Sequence, residues 1–358
     1  MNESFAVGIT VIIAVYASEA YLRKCLNSVA GQTFTDFECI VVDDGSPDSC
    51  GLIADEYAQK DPRFRVIHQQ NRGAAAARNL GISIAKGKYL YIMDCDDWLD
   101  PHYLEQLYTA GEKHNAQLVL GGYSFEYIEN GVQRVYEVTV PPAFYPNRES
   151  IRNIFHVYLN SAVVAPQWNK LYRTDYVRQH NVYVPDLGSG DMHFNIKVFK
   201  DLERLAVCKQ AGYYYFQSRD NSYLNNETWA ALCTRRREQI ESIYLLYHYW
   251  QIESGEILSK AFGYCAAMLV QCLVAVCSSD SSDKYSILKD LLNDRLNRFV
   301  LQRGKIASKL LAIAAVPAKM RCVPLCLAVG TAIGFVKKYL PQCFYYLQAV
   351  SVHSAKVK

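Results

Sequence analysis

Several features that identify other classes of protein are missing from this 358-residue chain. Its 12 cysteines include no CxxC pair, and Cys322 and Cys326 have no histidine partners at zinc-site spacing. The formal net charge is only +3, which does not suggest nucleic-acid binding, since that would call for a concentrated basic face. We therefore expect mostly buried free thiols in a reducing compartment, and no nucleic-acid partner.

Signals for export and membrane insertion are also weak. The N-terminus lacks a basic region, and the apolar residues 7–15 are too few for a signal peptide. The longest uncharged run near the C-terminus, residues 322–336, contains a proline and is shorter than the ~20 residues that span a bilayer. We expect a cytoplasmic protein at the cytoplasmic face of the membrane, with residues 305–338 lying on the lipid surface. The alternative is an ordinary helical subdomain.

Four apolar strands alternate with helices in the first 114 residues. The predicted strands cover residues 7–16, 37–42, 64–68 and 89–93. The predicted helices begin after Ser18, at Pro47, at Ala74 and at Pro101. Such alternation is typical of an α/β domain with a mostly parallel sheet and flanking helices. Ligands of these sheets bind beyond the carboxyl ends of the strands.

The pattern changes after residue 115. Further strands are predicted at residues 118–127, 132–140 and 213–216, and further helices at residues 151–159, 192–200, 229–250 and 257–276. Beyond residue 226 the chain is helical. We predict a catalytic domain over residues 1–225, followed by a helical region, 226–358, that associates with a membrane or forms a homo-oligomer.

Three carboxylates lie within four residues where the fourth strand ends, at Asp94, Asp96 and Asp97. Clustered acids at the end of a buried strand are costly unless their charge is neutralised, and a divalent cation commonly does this. The alternative is a turn in which an aspartate caps the following helix. Because Asp43 and Asp44 also stand at a strand end, the sequence favours a cation site.

Four blocks of sequence, in matching order and spacing, resemble a family 2 glycosyltransferase over about the first 110 residues, with weaker matches to about residue 225. The blocks are VIIAVY at 11–16, VVDDGSPD at 41–48, NRGAAAARN at 71–79 and DCDD at 94–97. The resemblance implies a GT-A fold and inverting transfer of a sugar from a nucleotide-diphosphate donor, a UDP-sugar above all. The implied acceptor is a glycan or lipid-linked glycan in surface polysaccharide synthesis.

The resemblance also implies which groups bind the donor. Ala14 would line the nucleobase pocket through its backbone, although alanine replaces the family's usual proline there, and Tyr16 belongs to the donor site. Asp43 or Asp44 would accept hydrogen bonds from the base or ribose, with helix capping as the alternative. Arg78 would reach the diphosphate, with a surface cation as the alternative.

In the DCDD block, the resemblance assigns Asp96 to Mn²⁺ or Mg²⁺, which would neutralise charge as the nucleotide leaves. Asp94 would hold sugar hydroxyls or assist the metal, and Cys95 between them belongs to the donor site. Asp97 is predicted to be structural. The sequence Trp168-Asn169-Lys170 resembles a family block near the donor sugar, which adds Trp168 and Lys170 to the donor site.

Inversion requires a base that takes the proton of the acceptor hydroxyl. The family has an aspartate at the start of a helix about a hundred residues past the metal motif, and Asp191 stands there. Gly190 replaces the glutamate that usually precedes it. Asp186 is an alternative base, and an N-cap is the alternative role for Asp191. Arg219, with Ser222, resembles a later motif that closes on the diphosphate.

Two other classes of function remain open. A sugar nucleotidyltransferase shares the α/β design, but its first strand is followed by a glycine-rich basic loop. Residues 16–21 contain neither glycine nor a basic side chain. A non-catalytic nucleotide-sugar-binding protein is the other alternative, since Gly190 departs from the family pattern.

Overall fold

The computed structural model describes residues 5–129, 132–217 and 228–339. The chain divides into two compact units, Met1–Asn225 and Asn226–Lys358. Every strand of the described residues lies in the first unit together with seven of the described helices, and six further described helices lie in the second unit.

The strands of the first unit form two sheets. The strands are β1 (Val7–Val15), β2 (Phe37–Asp43), β3 (Phe64–His68), β4 (Gly87–Asp94), β5 (Trp98–Leu99), β6 (Leu118–Leu120), β7 (Tyr123–Glu129), β8 (Val132–Val138), β9 (Ala143–Tyr145), β10 (Lys170–Arg173), β11 (Leu205–Val207) and β12 (Tyr213–Gln217). The larger sheet has the order β3-β2-β1-β4-β10-β6-β11-β9, and the smaller has the order β5-β12-β7-β8.

The four predicted parallel strands are confirmed as one half of the larger sheet. β1 pairs in parallel with β2 and β4, and β2 pairs in parallel with β3. Ile9, Val11, Ile12 and Ile13 on β1 are fully buried. β-Branched residues suit a strand that is covered on both faces, which explains the continuous apolar run. β10 enters antiparallel beside β4 and ends the parallel half.

The helices of the first unit start later than the sequence predicts in two places. They are α1 (Glu19–Ala30), α2 (Cys50–Lys60), α3 (Ala74–Ile84), α4 (Tyr103–His114), α5 (Arg148–Asn160), α6 (Thr174–Gln179) and α7 (Gly190–Lys200). α2 was predicted from Pro47, but Gly45 has φ of 70° and the chain turns first. The Asp48 carboxylate then accepts a hydrogen bond from the Cys50 N–H at 3.1 Å. α4 likewise begins two residues after Pro101.

The predicted strand over 118–127 is two strands in different sheets. Gly121 and Gly122 separate β6 from β7, because their N–H groups donate to Asn169 and Gln210 carbonyls outside either strand. A Cβ at Gly121 would lie 2.2 Å from the Tyr103 hydroxyl oxygen. Only glycine fits such a close approach, which the period-two pattern could not reveal.

The second unit is helical over its described residues. Its helices are α8 (Trp229–Tyr249), α9 (Glu256–Ser278), α10 (Lys284–Asn293), α11 (Arg295–Arg303), α12 (Lys309–Lys319) and α13 (Val323–Tyr339). Helix α9 alone, among the described helices, has the length and apolar composition of a membrane span, yet 67% of its most apolar window is buried. Burial of that degree is equally typical of the central helix in a packed helical unit.

Candidate active site

Three neighbouring strands bring acidic side chains to one edge of the larger sheet. β1 lies between β2 and β4, and the register pairs Val15 with Asp43 and Ala14 with Asp94. Tyr16 follows β1 and is 48% exposed at the same edge. Because the three strands are parallel, their carboxyl ends meet where ligands of such sheets bind.

Asp44, after β2, is held by the protein itself. It is 2% exposed. Its oxygens accept hydrogen bonds from Gln69 Nε2 at 2.6 Å and from the N–H groups of Arg72 and Gly73 at 2.9 and 2.8 Å. These bonds fix the turn that leads into α3. Asp44 therefore already has a structural task at the position where the sequence predicts a donor-binding group.

Asp43 is also partnered on both oxygens. It accepts a hydrogen bond from the Ser46 N–H at 3.0 Å and lies 2.9 Å from His68 Nδ1, whose other ring nitrogen is 3.1 Å from Asp55. Burial acts to raise the pKa of Asp43, but the bonds to Ser46 and His68 outweigh it and the pKa is lowered. The N-cap of α2 is Ser49, so neither Asp43 nor Asp44 caps that helix.

Arg78, on α3, connects the acidic strand end to the predicted base. Its Nη2 donates to Asp94 Oδ1 at 2.5 Å and its Nη1 donates to Asp191 Oδ1 at 3.2 Å. Burial lowers the pKa of Arg78, but attraction to the two carboxylates outweighs it and the pKa is raised. Among the described residues, the buried Nε of Arg78 has no hydrogen-bond partner. This guanidinium therefore keeps one N–H donor that no described protein group uses.

The acids after β4 differ in their surroundings. Asp97 is fully buried, accepts a hydrogen bond from the Phe216 N–H at 2.8 Å and is bonded to the Tyr213 hydroxyl. It ties the acidic turn to β12, which is a structural role but not the helix cap considered above. Burial raises the pKa of Cys95 to about 12, so that side chain is a neutral thiol.

Asp96 is the acid with the fewest partners in this turn. Burial, and then the nearby charge of Asp94, raise its pKa to about 6, while its own backbone N–H and Arg78 oppose the rise. Among the described residues, Arg78 is the arginine that opposes this concentration of carboxylates. The donor set, hard oxygens with excess negative charge, fits a divalent cation.

No three His, Cys, Asp or Glu side chains converge into a metal cage within the described residues. Mg²⁺ and similar ions in phosphate-transfer sites are commonly held by one or two carboxylates together with substrate phosphates. Asp96 and Asp94 can supply that number. The residues present therefore fit a cation that binds together with a diphosphate.

Asp191 lies in the first turn of α7, after the N-cap residue Ser189. It is not the cap, which removes the structural alternative. Its side chain is 35% exposed. Burial raises its pKa, with Asp94 in the same direction and Arg78 and Lys170 opposing. A carboxylate with a raised pKa accepts a proton more readily, which is what a general base requires.

Asn79 holds the loop before Asp191, a role that the sequence did not reveal. Its Nδ2 donates to the Val184 carbonyl and its Oδ1 accepts from the Val184 N–H, both at 2.8 Å. A Cβ at Gly190 would lie 2.8 Å from the Pro185 carbonyl oxygen, so the loop packs directly on this glycine. Glycine therefore occurs at a position, usually glutamate in the resembling family, where the loop approaches the backbone too closely for a side chain. The only sequence signal for Asn79 is its place next to Arg78 in the NRGAAAARN block.

The structure gives two predicted donor-binding residues other roles. Lys170 is fully buried, and its Nζ donates to the Val163 carbonyl and Asn169 Oδ1, both at 2.8 Å, and to the Pro166 carbonyl. Trp168 is 8% exposed and stacks on Tyr213 with ring centroids 4.3 Å apart. These side chains stabilise the core beneath the site.

Arg219 and Ser222 lie outside the described residues, so the predicted closing motif is not part of this geometry. The described site consists of Arg78 with Asp94, Asp96 and Asp191, and of the backbone of the β1 and β2 ends.

Known proteins share sequence and fold with this chain. The profile of the family described as Glycosyl transferase family 2 matches residues 10–180. The chain is 35% identical over 212 residues to the putative glycosyltransferase EpsH of Bacillus subtilis, spanning 58% of this chain and 60% of that protein. It is 28% identical over 283 residues to the glycosyltransferase EpsJ of the same organism, spanning 77% and 80% of the two chains. The match thus covers less than two thirds of the length of EpsH.

A solved structure shares the fold. Residues 1–349 of Staphylococcus aureus TarS, in a complex with UDP-GlcNAc, superpose with a TM-score of 0.65 at 20% identity, over 90% of each chain. At that identity the likeness shows the fold alone, a GT-A sheet followed by helices. On the matched profile, residues 10–180 of the chain form a family 2 glycosyltransferase domain, and the fold agrees with that assignment.

Proposed function

We propose that this chain is an inverting, metal-dependent transferase. It would move a sugar from a nucleotide-diphosphate donor, a UDP-sugar, to a hydroxyl of a glycan or lipid-linked glycan in surface polysaccharide synthesis. The observation that carries the proposal is the position of Arg78 between Asp94 and Asp191. One guanidinium thereby joins the predicted donor side of the site to the predicted base.

The donor side is supported by the unpaired Nε of Arg78 and by Asp96. In the proposed complex Arg78 donates hydrogen bonds to the diphosphate, and the Asp96 and Asp94 carboxylates hold Mn²⁺ or Mg²⁺. The cation supplies Lewis-acid neutralisation of the departing nucleotide. Tyr16 and the backbone at Ala14 lie at the strand ends where the nucleobase would bind.

The acceptor side is Asp191. Its carboxylate would take the proton from the acceptor hydroxyl as that oxygen attacks the anomeric carbon and the bond to the diphosphate breaks. Arg78 donates a hydrogen bond to this carboxylate, and Asn79 donates one to the preceding loop. Two adjacent residues of α3 therefore position the proposed base. The known ligand of the fold neighbour, UDP-GlcNAc on TarS, supports trying UDP-sugars first.

The test is release of nucleoside diphosphate by the purified chain from a panel of UDP-, GDP- and dTDP-sugars, with Mn²⁺, with Mg²⁺ and with EDTA. Asp191→Asn should lower transfer on the order of a hundredfold or more, the upper range for a general base, while donor affinity stays nearly constant. Asp186→Asn tests the alternative base: Asp186 is exposed in the same loop, and this variant should keep the parent rate if Asp191 is the base.

The outcomes separate the alternatives. A donor that binds equally well with EDTA and is never turned over would support a non-catalytic binding protein. Production of nucleotide-sugar from sugar phosphate and nucleoside triphosphate would support a nucleotidyltransferase. Loss of donor binding in Asp191→Asn would show that Asp191 is not the base.

A further inference from the structure

One side of α12 presents apolar side chains to solvent. Ile313, Val316 and Met320 are 67%, 50% and 67% exposed, and their spacing of three and four residues places them on one side of the helix. The opposite side packs in the core through Leu311 and Ala315. Single exposed apolar residues are ordinary, whereas a continuous row of them marks an interaction surface.

Helix α13 continues this apolar surface. Leu325 and Phe335 are 42% and 58% exposed, and Ala332 between them is exposed on the same side. Val329 and Ile333 border this row and are half-buried against the same core cluster that buries α12. The exposed rows of the two helices therefore flank one shared core cluster.

The charge of this part of the chain is one-sided. Residues 295–358 contain 11 lysines and arginines and no aspartate or glutamate, whereas residues 1–294 contain 27 basic and 35 acidic side chains. Lys309, Lys319 and Arg321 are exposed around the two apolar rows. An apolar surface that is bordered by cations and lacks carboxylates is complementary to an anionic lipid surface. Its apolar side chains suit the acyl chains, and its cations suit the negatively charged headgroups.

We propose that the α12–α13 face, defined by Ile313, Val316, Met320, Leu325 and Phe335 with its bordering cations, docks on the anionic surface of a lipid bilayer. The apolar rows would enter the headgroup boundary, and the cations would meet lipid phosphates. This proposal does not depend on the transferase reaction.

Other partners complement this face less well. A symmetric contact between two copies would bring two identical, uniformly basic segments together, which like-charge repulsion disfavours. Nucleic acid would match the cations, but its phosphates would leave the central apolar rows uncovered.

The test is sedimentation of the full chain with vesicles of phosphatidylcholine, or of phosphatidylcholine mixed with phosphatidylglycerol. We expect binding to the anionic vesicles that weakens as salt is added. Lys309→Glu with Lys319→Glu should lower the partition coefficient by about tenfold or more. Ile313→Ser with Met320→Ser should lower it by about tenfold, because less apolar surface is buried in the lipid.

Two substitutions on α2 serve as matched controls. Lys60→Glu and Leu52→Ser change equally exposed basic and apolar side chains in the first unit, and both should bind vesicles as the parent does. Thermal midpoints of all variants check the fold.

Failure of the full chain to bind anionic vesicles would overturn the proposal, as would unchanged binding by both α12 variants. A dimer, measured by light scattering, that Ile313→Ser with Met320→Ser dissociates would also overturn it, since the face would then join copies of the chain.

Discussion

The ends of β2 and β4 have similar sequences and opposite surroundings. Each strand is an apolar run that ends in adjacent acids at one edge of the sheet. Asp44 accepts three hydrogen bonds, two of them from backbone N–H groups, and Asp43 accepts from Ser46 and pairs with His68. Asp96, after β4, has its own backbone N–H and the opposing charge of Arg78 to offset its burial.

The pKa directions express this difference. Hydrogen bonds lower the pKa of Asp43 in spite of burial, whereas burial and Asp94 raise the pKa of Asp96 to about 6. A carboxylate with its own donors stabilises the fold, and a carboxylate without them is ready for a cation or a ligand. We therefore predict that the β2 end is a structural joint of the site and that the β4 end is its reactive part.

Asp96→Asn should produce the largest effect and tests the reactive end directly. We expect the transfer rate to fall by a factor on the order of 10²–10³, the range for loss of one group that stabilises developing charge. The thermal midpoint in metal-free buffer should stay constant or rise, because a poorly partnered buried charge is removed. Nucleotide release and a thermal melt measure the two quantities.

Asp290→Asn, which changes an exposed aspartate of α10 in the second unit, supplies the control, with no change expected in either quantity. If Asp96→Asn lowered the thermal midpoint while sparing the rate, the two strand ends would have been assigned the wrong way round.

Asp44→Asn should affect the stability of the fold rather than the chemistry of the site. Asparagine offers one acceptor oxygen, so at least one of three donors loses its partner, and its NH₂ group faces N–H groups. We expect the free energy of unfolding to fall by about 2–4 kcal/mol. Urea denaturation measures this change. Equal stability of Asp44→Asn and the parent would show that the β2 end is not a structural joint.

The sequence was sufficient to predict the parallel half of the sheet and the place of much of the site. Continuous β-branched runs such as residues 9–13 can be covered on both faces in few other folds, and a parallel sheet brings its strand ends together whatever the loops do. Asp43 and Asp94 could therefore be placed at one edge of the sheet from pattern alone, whereas Arg78 was assigned to the site through the family resemblance.

The partners of buried polar groups could not be predicted in this way. Lys170 was expected to face the donor, but its ammonium is satisfied by the Val163 and Pro166 carbonyls and by Asn169. Those acceptors belong to a loop whose path depends on tertiary packing rather than on local residue type. Asp44 was ambiguous for the same reason, since Arg72 and Gly73 offer it backbone N–H groups that no side-chain pattern reveals.

His68→Gln should give a small, pH-dependent effect at the β2 end. The bond to Asp43 raises the pKa of His68 against the effect of burial, so the stabilisation is present below pH 6.5 and is lost as pH rises through the folded-state value. Because the pKa of Asp43 is lowered in the folded state, the stabilisation that its carboxylate contributes is present above pH 3.8 and is lost as pH falls further. We expect a difference of at most about 1 kcal/mol, since His68 is half exposed.

Thermal melts from pH 4 to pH 9 measure this prediction. The gap between parent and variant should be widest between about pH 4 and pH 6.5 and should shrink at higher pH. A gap that widened above pH 7 would mean that neutral, not protonated, His68 stabilises the joint.

The smallest predicted effect concerns the end of β1, which lies between the two acidic ends. Ala17 is exposed and has φ of 48°, a left-handed conformation that costs an alanine about 1–2 kcal/mol. Glycine adopts this conformation without strain, which stabilises the folded state, but glycine also loses more entropy on folding, which offsets part of that gain. The net effect of Ala17→Gly should be a rise in the free energy of unfolding of about 0.5 kcal/mol. Ala20→Gly, equally exposed but within α1, should have the opposite sign because glycine weakens helices. Urea denaturation of both variants tests this prediction. If the free energy of unfolding rises for Ala17→Gly and falls for Ala20→Gly, the turn between the two acidic strand ends is strained. If it falls for both variants, the turn is not strained.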